Sequence, residues 1–182
     1  MNKCVSLAAV LALATVSCDA FAGQAFVRAE LGHSVTKVRV DDLRGDETDV
    51  AGMVGGGYWF TPNIGVEGHA GSLYNEDLGY DEELDLVSIG VALVVKKNFG
   101  PDNTGFFIGG RAGVARMTAQ IREDTWDLVD DESSTKPFYG VSAGYDFARR
   151  WGLSVNYDRR KGDFNGVKVD VDTFTLGGEF RF

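Results

Sequence analysis

The sequence predicts an all-β protein, an eight-stranded antiparallel up-and-down transmembrane β-barrel. Three observations predict it. Eight segments alternate with period two, as a strand does when successive side chains point to opposite faces. The connections between them alternate long and short. Within the segments one face is bulky and apolar, and the other is small, glycine-rich or charged.

The segments run over residues 24–34, 50–60, 64–73, 84–99, 105–120, 137–147, 151–161 and 172–182. Long polar stretches follow the first, third, fifth and seventh, at 35–49, 74–83, 121–136 and 162–171. Short turns follow the second, fourth and sixth, at 61–63, 100–104 and 148–150. Transmembrane barrels have this rhythm, with short periplasmic turns and longer outer loops, and an even strand number puts both ends on the periplasmic side. Pro62 and Pro101 fall in turns and Pro137 opens a segment, so no proline interrupts a central strand.

Face assignment follows from parity. Val87, Ile89, Val91, Leu93 and Val95 oppose Ser88, Gly90, Ala92 and Lys96. Tyr139, Val141, Ala143, Tyr145 and Phe147 oppose Gly140, Ser142, Gly144 and Asp146, while Trp151, Leu153, Val155 and Tyr157 oppose Gly152, Ser154, Asn156 and Asp158. A narrow barrel holds little side-chain volume, so the small and charged set belongs inside and the bulky aliphatics belong in lipid. Aromatics collect at the expected periplasmic ends (Tyr58, Trp59, Phe60, Phe99, Phe106, Tyr145, Phe147, Trp151, Phe180 and Phe182), with a thinner set at the outer ends (Tyr74, Tyr139, Tyr157 and Phe174). These read as two girdles at the headgroup levels.

Residues 1–22 read as a secretory signal peptide, leaving a barrel domain over 23–182. Lys3 supplies the positive start, the apolar run to Val16 is too short to span a membrane, and Ala20-Phe21-Ala22 is a cleavage motif. A lipidated Cys18 is the rival reading, with Thr15-Val16-Ser17 a poor lead-in. Cys4 and Cys18 both lie in the removed segment, so no disulfide is expected. The formal net charge of −9 argues against nucleic acid as a partner.

Phe174, Leu176, Phe180 and Phe182 share one face, and the sequence ends on that phenylalanine. This ending resembles the assembly signal of bacterial outer membrane barrels, read by the barrel assembly machinery, with Phe182 and Phe180 its main residues. Removal of Phe182 is expected to slow assembly. The run from Gly55-Gly56-Gly57-Tyr58-Trp59-Phe60 to Thr61-Pro62-Asn63-Ile64-Gly65-Val66-Glu67 and the repeat Tyr139-Gly140-Val141-Ser142-Ala143-Gly144-Tyr145 extend the likeness. The chain resembles the OmpA-like and OmpX-like eight-stranded outer membrane barrels over essentially all of 23–182. The resemblance implies the outer membrane of a Gram-negative bacterium and contact with its lipid and lipopolysaccharide. No trailing wall-binding domain is expected after Phe182, and a monomer is expected.

The expected lumen holds charges of both signs: Arg28, Glu30, Glu67, His69, Lys96, Arg111, Asp146, Asp158, Glu179 and Arg181. Isolated charges there are costly, so they should pair. Glu67 and Arg111 lie at similar heights above the periplasmic turns, and a central bridge between them is expected, with Arg28, Glu30 or Glu179 as further partners and Arg181 in the same network. The outer stretches are acidic. Glu76, Asp77, Asp81, Glu82 and Glu83 form one cluster, and Asp130, Asp131 and Glu132 belong to another. Such clusters suit divalent cations or a basic partner, although neither has calcium-loop spacing. Neither a confident metal site nor a cofactor is expected.

Some small outer membrane barrels hydrolyse lipids with Ser, His and an acid. Here His33 and Ser34 are adjacent and must face oppositely, and His69 faces the lumen. No catalytic residue is assigned. The expected function is non-enzymatic: surface interaction or adhesion through an extracellular ligand not named by any motif, or envelope integrity. A narrow pore for ions or small solutes is the alternative, and a lipid-modifying enzyme a remote one.

Overall fold

The computed structural model describes residues 23–40, 43–79, 82–123, 127–164 and 167–182. The expected signal peptide, residues 1–22, lies outside them. Eight strands, β1 Gln24–Val40, β2 Leu43–Trp59, β3 Ile64–Gly79, β4 Glu82–Asn98, β5 Gly105–Glu123, β6 Asp127–Asp146, β7 Trp151–Phe164 and β8 Val167–Arg181, form a closed antiparallel barrel in sequence order. Closure comes from β1 against β8, from Phe26 opposite Arg181 to Arg39 opposite Lys168. The Phe182 backbone N–H adds one more bond, donating to the Ala25 carbonyl at 2.9 Å.

The three short turns fall where expected. Thr61 Oγ1 accepts from the backbone N–H groups of Asn63 and Ile64 at 3.2 and 3.0 Å, tying the first turn. The second is a 3-10 turn at Pro101–Asn103 with Asp102 and Asn103 at φ 53° and 56°, a region that these two residue types tolerate better than most.

The outer stretches depart from the expectation. They are not long loops: residues 35–40, 43–49, 74–79, 127–136 and 167–171 continue the strands. Strand pairing requires backbone partners and alternation, not apolar residues. β1 and β8 stay paired through Thr36 opposite Val171 and out to Arg39 opposite Lys168. The tips at 41–42, 80–81, 124–126 and 165–166 lie outside the described residues.

Pairing is uneven around the barrel. Five of the eight interfaces stay paired out to the last described residues: β1–β2 to Val40 opposite Leu43, β3–β4 to Gly79 opposite Glu82, β5–β6 to Glu123 opposite Asp127, with β4–β5 and β7–β8 alike, and β1–β8 stops one residue short at Arg39 opposite Lys168. Among the described residues, β2–β3 pairing stops at Gly52 opposite Ser72, and β6–β7 pairing stops at Tyr139 opposite Arg159. Beyond those levels the barrel divides into two four-stranded sheets, β7-β8-β1-β2 and β3-β4-β5-β6. Met53 and Val171 of one sheet pack against Leu73, Leu86 and Met117 of the other, with Val169 beside them. The outer part is therefore a small sandwich whose interior sets this apolar cluster among the buried hydroxyls of Ser34, Thr36, Ser134 and Thr173.

Parity assigns the rest of the wall correctly. Ile89, Val91, Leu93, Val141, Val155 and Leu176 are all more than half exposed, and face lipid. Ser88, Ala92 and Lys96 are buried inside. Of the expected periplasmic girdle, Phe60, Phe99, Phe106, Phe147, Trp151 and Phe182 are exposed outward. Trp59 is the exception. At 4% exposure it lies inside against Phe26, ring centroids 5.5 Å apart. Tyr58 precedes it on the strand, and neighbours must face oppositely, so only one of the pair could join the girdle.

Leu93→Arg is expected to cost about 2–4 kcal/mol, the scale for an arginine on the lipid face near mid-bilayer. Ala92, next in sequence, packs with Ala115 and Phe138 inside, so an arginine there meets a filled lumen rather than lipid. Urea titration of both variants refolded into vesicles checks this. An unchanged midpoint for Leu93→Arg would invert the face assignment.

Candidate functional site: the barrel lumen

The lumen is built from one inward residue in two on every strand. Its centre is Arg111 on β5. The guanidinium donates from Nε to Asp158 Oδ1 at 2.6 Å and from Nη2 to Asp158 Oδ2, a two-pronged contact with β7. Nη1 and Nη2 donate to Glu30 Oε1 and Oε2, both at 2.9 Å, and Nη1 also reaches Glu67 Oε1 at 3.0 Å. One side chain thus joins β1, β3 and β7 to β5 across the barrel. Parallel bonds of this kind are the strong form of a charge-assisted contact.

Arg28 on β1 extends the network downward. It donates to Glu67 Oε2 at 2.6 Å and to Glu179 Oε2 at 2.5 Å. Arg181 then donates to Glu179 Oε1 at 2.6 Å and to Asp146 Oδ1 at 2.7 Å. Lys96 Nζ donates to Asp146 Oδ2 at 3.1 Å and stands over the Trp59 ring at 4.7 Å. Glu30 gains a further bond from the Thr175 hydroxyl at 2.9 Å, and Asn98 Nδ2 donates to Asp146 Oδ2 at 2.7 Å.

Glycines directly opposite in register on the adjacent strands leave room for inward side chains. A Cβ on Gly90 would stand 2.8 Å from His69 Nε2, and one on Gly177 would stand 3.1 Å from Glu30 Cγ.

Charge balances. Among the described residues facing the lumen, Arg28, Lys96, Arg111, Arg160 and Arg181 stand against Glu30, Glu67, Asp146, Asp158 and Glu179. Burying so many ions is costly, and the cost is offset only if each keeps several partners. A wider vestibule of about 320 Å³ opens at the periplasmic mouth beside Trp59, Lys96, Asn98 and Arg181, but the free space around the central network is small. A cavity of about 30 Å³ borders Arg28, Lys96, Arg111 and Glu179, and another of about 10 Å³ borders Glu30, Glu67, His69 and Arg111. Such spaces hold about one or two water molecules.

The structure brings Arg28, Glu30, Glu67, Arg111, Glu179 and Arg181 into one connected network. The expected Glu67–Arg111 contact is present, but Asp158 and Glu30 each hold Arg111 by two bonds where Glu67 holds it by one. Arg160 was not anticipated. It is 1% exposed, its Nη1 lies 3.8 Å from Asp158 Oδ2, and its guanidinium carbon stands 5.0 Å from the Phe138 ring centre. Its signal was available, since residue 160 shares the inward parity of Asp158. Phe26, Phe107 and Phe138 are also inside, as parity again requires.

His69 is buried, its ring 5.0 Å from that of Phe138 and edge-on. Ser34 is buried and its neighbour His33 is on the opposite, exposed face. Phe180 and Phe182 meet edge-on with ring centroids 5.1 Å apart, beside Trp151 on the outer wall. Of the acidic clusters, Glu76, Asp77, Glu82, Glu83, Asp130, Asp131 and Glu132 lie on strand backbone of β3, β4 and β6, and their side chains are outside the described residues, as is all of Asp81. No group of three or more potential ligands positioned for a metal occurs among the described residues.

Solved structures share this architecture. Neisserial surface protein A is similar at 15% identity with a TM-score of 0.65, over 87% of this chain and 97% of that one. The N-terminal β-barrel domain of OprF from Pseudomonas aeruginosa is similar at 17% identity and TM-score 0.54, over 88% and 99%. Ail, the attachment invasion locus protein of Yersinia pestis, solved with the heparin analogue sucrose octasulfate, is similar at 18% identity and TM-score 0.53, over 87% and 99%. At these identities the likeness concerns the fold. No curated protein sequence matches the chain. The outer membrane protein beta-barrel domain family matches over residues 7–182, and the chain belongs to that family of Gram-negative outer membrane proteins.

Proposed function

We propose that this protein is a closed, non-enzymatic scaffold of the outer membrane that displays its outer sandwich to the surroundings for surface interaction. One observation carries the reading: the Arg111 network spans the lumen from β1 to β7, and the sandwich core of Met53, Leu73, Leu86, Met117 and Val171 lies above it. A solute path would have to part bonded ion pairs and then an apolar layer. This supports display over the narrow-pore alternative.

The partner differs in kind from the polysulfate bound by Ail. The outer stretches of this chain carry carboxylates in excess of lysine and arginine, so a polyanion would be repelled. The display role is tested by trimming. Val35 and Thr48 face each other in register, so the β1–β2 hairpin can be cut back to them and closed with Asn-Gly, and the other outer hairpins shortened alike. Cells carrying the trimmed barrel are expected to lose attachment to host-cell layers while the protein still shows heat-modifiable gel mobility. Undiminished attachment by cells with the trimmed form would contradict the display role.

A further inference from the structure

The three short turns frame the periplasmic mouth of the barrel, and each contributes to the vestibule of about 320 Å³ within it: Thr61 and Pro62 from the first, Asp102 and Asn103 from the second, Arg149 from the third. The walls are inward side chains at the strand ends, Trp59 of β2, Lys96 and Asn98 of β4 and Arg181 of β8. Pockets for small ligands span about 300–1,000 Å³, so this one has room for a ligand of a few heavy groups.

The charge on its walls is mostly of one sign. Lys96, Arg149 and Arg181 line it, with Asp102 the one carboxylate there among the described residues. Asp146 and Glu179, which pair with Lys96 and Arg181, border the small inner cavity instead. Arg149 stands at the rim 3.8 Å from Asp102, with both side chains open to water. An exposed pair of that kind holds weakly, so the guanidinium is available to an incoming anion.

Two buried polar atoms of the same walls have no partner. Trp59 is 4% exposed, and its indole Nε1–H, a donor only, makes no hydrogen bond. Packing against Phe26 and beneath Lys96 Nζ fixes the ring where it is. Asn98 is buried as well. Its Nδ2 donates to Asp146, which leaves Oδ1 as the acceptor without a partner. Buried polar groups are normally bonded, and those that are not mark places where another molecule completes the bonding.

These features select a chemistry. A lone donor and a lone acceptor suit a group that carries both, and a peptide amide does: its C=O accepts and its N–H donates. The cations suit a carboxylate next to it. Both occur together at the carboxy-terminal end of a peptide. Simple inorganic anions bring the charge without an amide, and an acyl chain brings neither.

We infer that the periplasmic vestibule binds the carboxy-terminal end of a short peptide, with Lys96, Arg149 and Arg181 facing the terminal carboxylate and Trp59 and Asn98 bonding the last amide. The site is at the end of the barrel opposite the displayed sandwich, so it goes beyond the display role and neither depends on the other.

The test uses the barrel purified from outer membranes into lipid nanodiscs, with isotope-labelled indole nitrogens. The Trp59 N–H resonance is the one lost in Trp59→Phe. The probe is N-acetyl-alanyl-alanine as the free acid, and affinity is read by titration calorimetry. The free acid is expected to bind saturably and to move the Trp59 resonance downfield. Its carboxamide, which lacks the charge, and inorganic phosphate are each expected to bind about tenfold more weakly, and an analogue with an ester in place of the last amide about fivefold more weakly. Trp59→Phe is expected to weaken binding about fivefold while its urea midpoint stays near the native value, because the ring keeps its place and no internal bond is lost. Arg149→Ala, at the exposed rim, is expected to weaken binding about threefold, and Arg116→Ala on the outer half of β5 to leave it unchanged. The all-D probe separates a cell-wall stem peptide, which ends in D-alanine, from a protein terminus. Tighter binding of either form supports the site and names its source.

An unmoved Trp59 resonance with both the L and the D free acid would overturn the inference. Equal binding of the carboxamide would remove the role of the cations, and equal binding of inorganic phosphate or of the ester would remove that of the amide; each would also overturn it. The probe series needs no variant, so a failure of Trp59→Phe to fold leaves the test intact.

Discussion

Arg111→Ala is expected to destabilise the barrel by about 3–5 kcal/mol, the usual consequence of removing one partner from a buried ionic group. The cost comes from what is left behind. Glu30 and Asp158 each lose two bonds and Glu67 loses one, while their side chains are at most 3% exposed. Arg28 still holds Glu67 at 2.6 Å and the Thr175 hydroxyl still donates to Glu30, but among the described residues Asp158 keeps only the 3.8 Å approach of Arg160. The measurement is a urea titration of the variant refolded into vesicles, followed by heat-modifiable mobility. A midpoint within error of the native value would mean that the network is hydrated and weak.

Asp158→Asn is expected to have the second largest effect, about 2–4 kcal/mol. The amide keeps the shape but replaces an acceptor with a donor facing the Arg111 fork, and leaves Arg111 and Arg160 as neighbouring buried cations with one carboxylate fewer. Coupling separates this account from a simple shape effect. In double-mutant cycles, residues sharing direct bonds couple by up to roughly 3 kcal/mol and independent sites add. The Arg111–Asp158 pair should couple more strongly than the Arg111–Glu67 pair, because two bonds join the first and one the second. Equal couplings, or additivity at Asp158, would contradict the geometry.

Much of this was legible in the sequence because a strand repeats every two residues. Val87 to Val95 gave the lipid face of β4, and Glu67 and Arg111 were placed inside at matching heights by parity and by distance from the turns. Trp59 shows the same rule being overridden by composition: grouping it with neighbouring aromatics placed it in the girdle, whereas its parity with Met53 and Gly55 puts it inside. Arg160 lies one inward step beyond Asp158, where the seventh strand leaves the small and polar pattern of Gly152, Ser154 and Asn156.

The outer extensions were harder to read. Residues 127–136 of β6 are rich in Asp, Glu and Ser, which favour turns locally, yet pairing with β5 holds them extended. Tertiary pairing overrides local preference there, and no pattern within the segment reports it. The stop of β2–β3 pairing at Gly52 was equally invisible, since it depends on which strand lies opposite rather than on the residues of either strand.

The central claim is that bonded side chains close the lumen. Single-channel recording of the purified barrel in a planar bilayer tests it most directly. The account predicts a silent membrane for the native protein, and at most brief, noisy currents for Arg111→Ala, in which the apolar layer above still stands. Regular, long-lived conductance steps from the native barrel would contradict it.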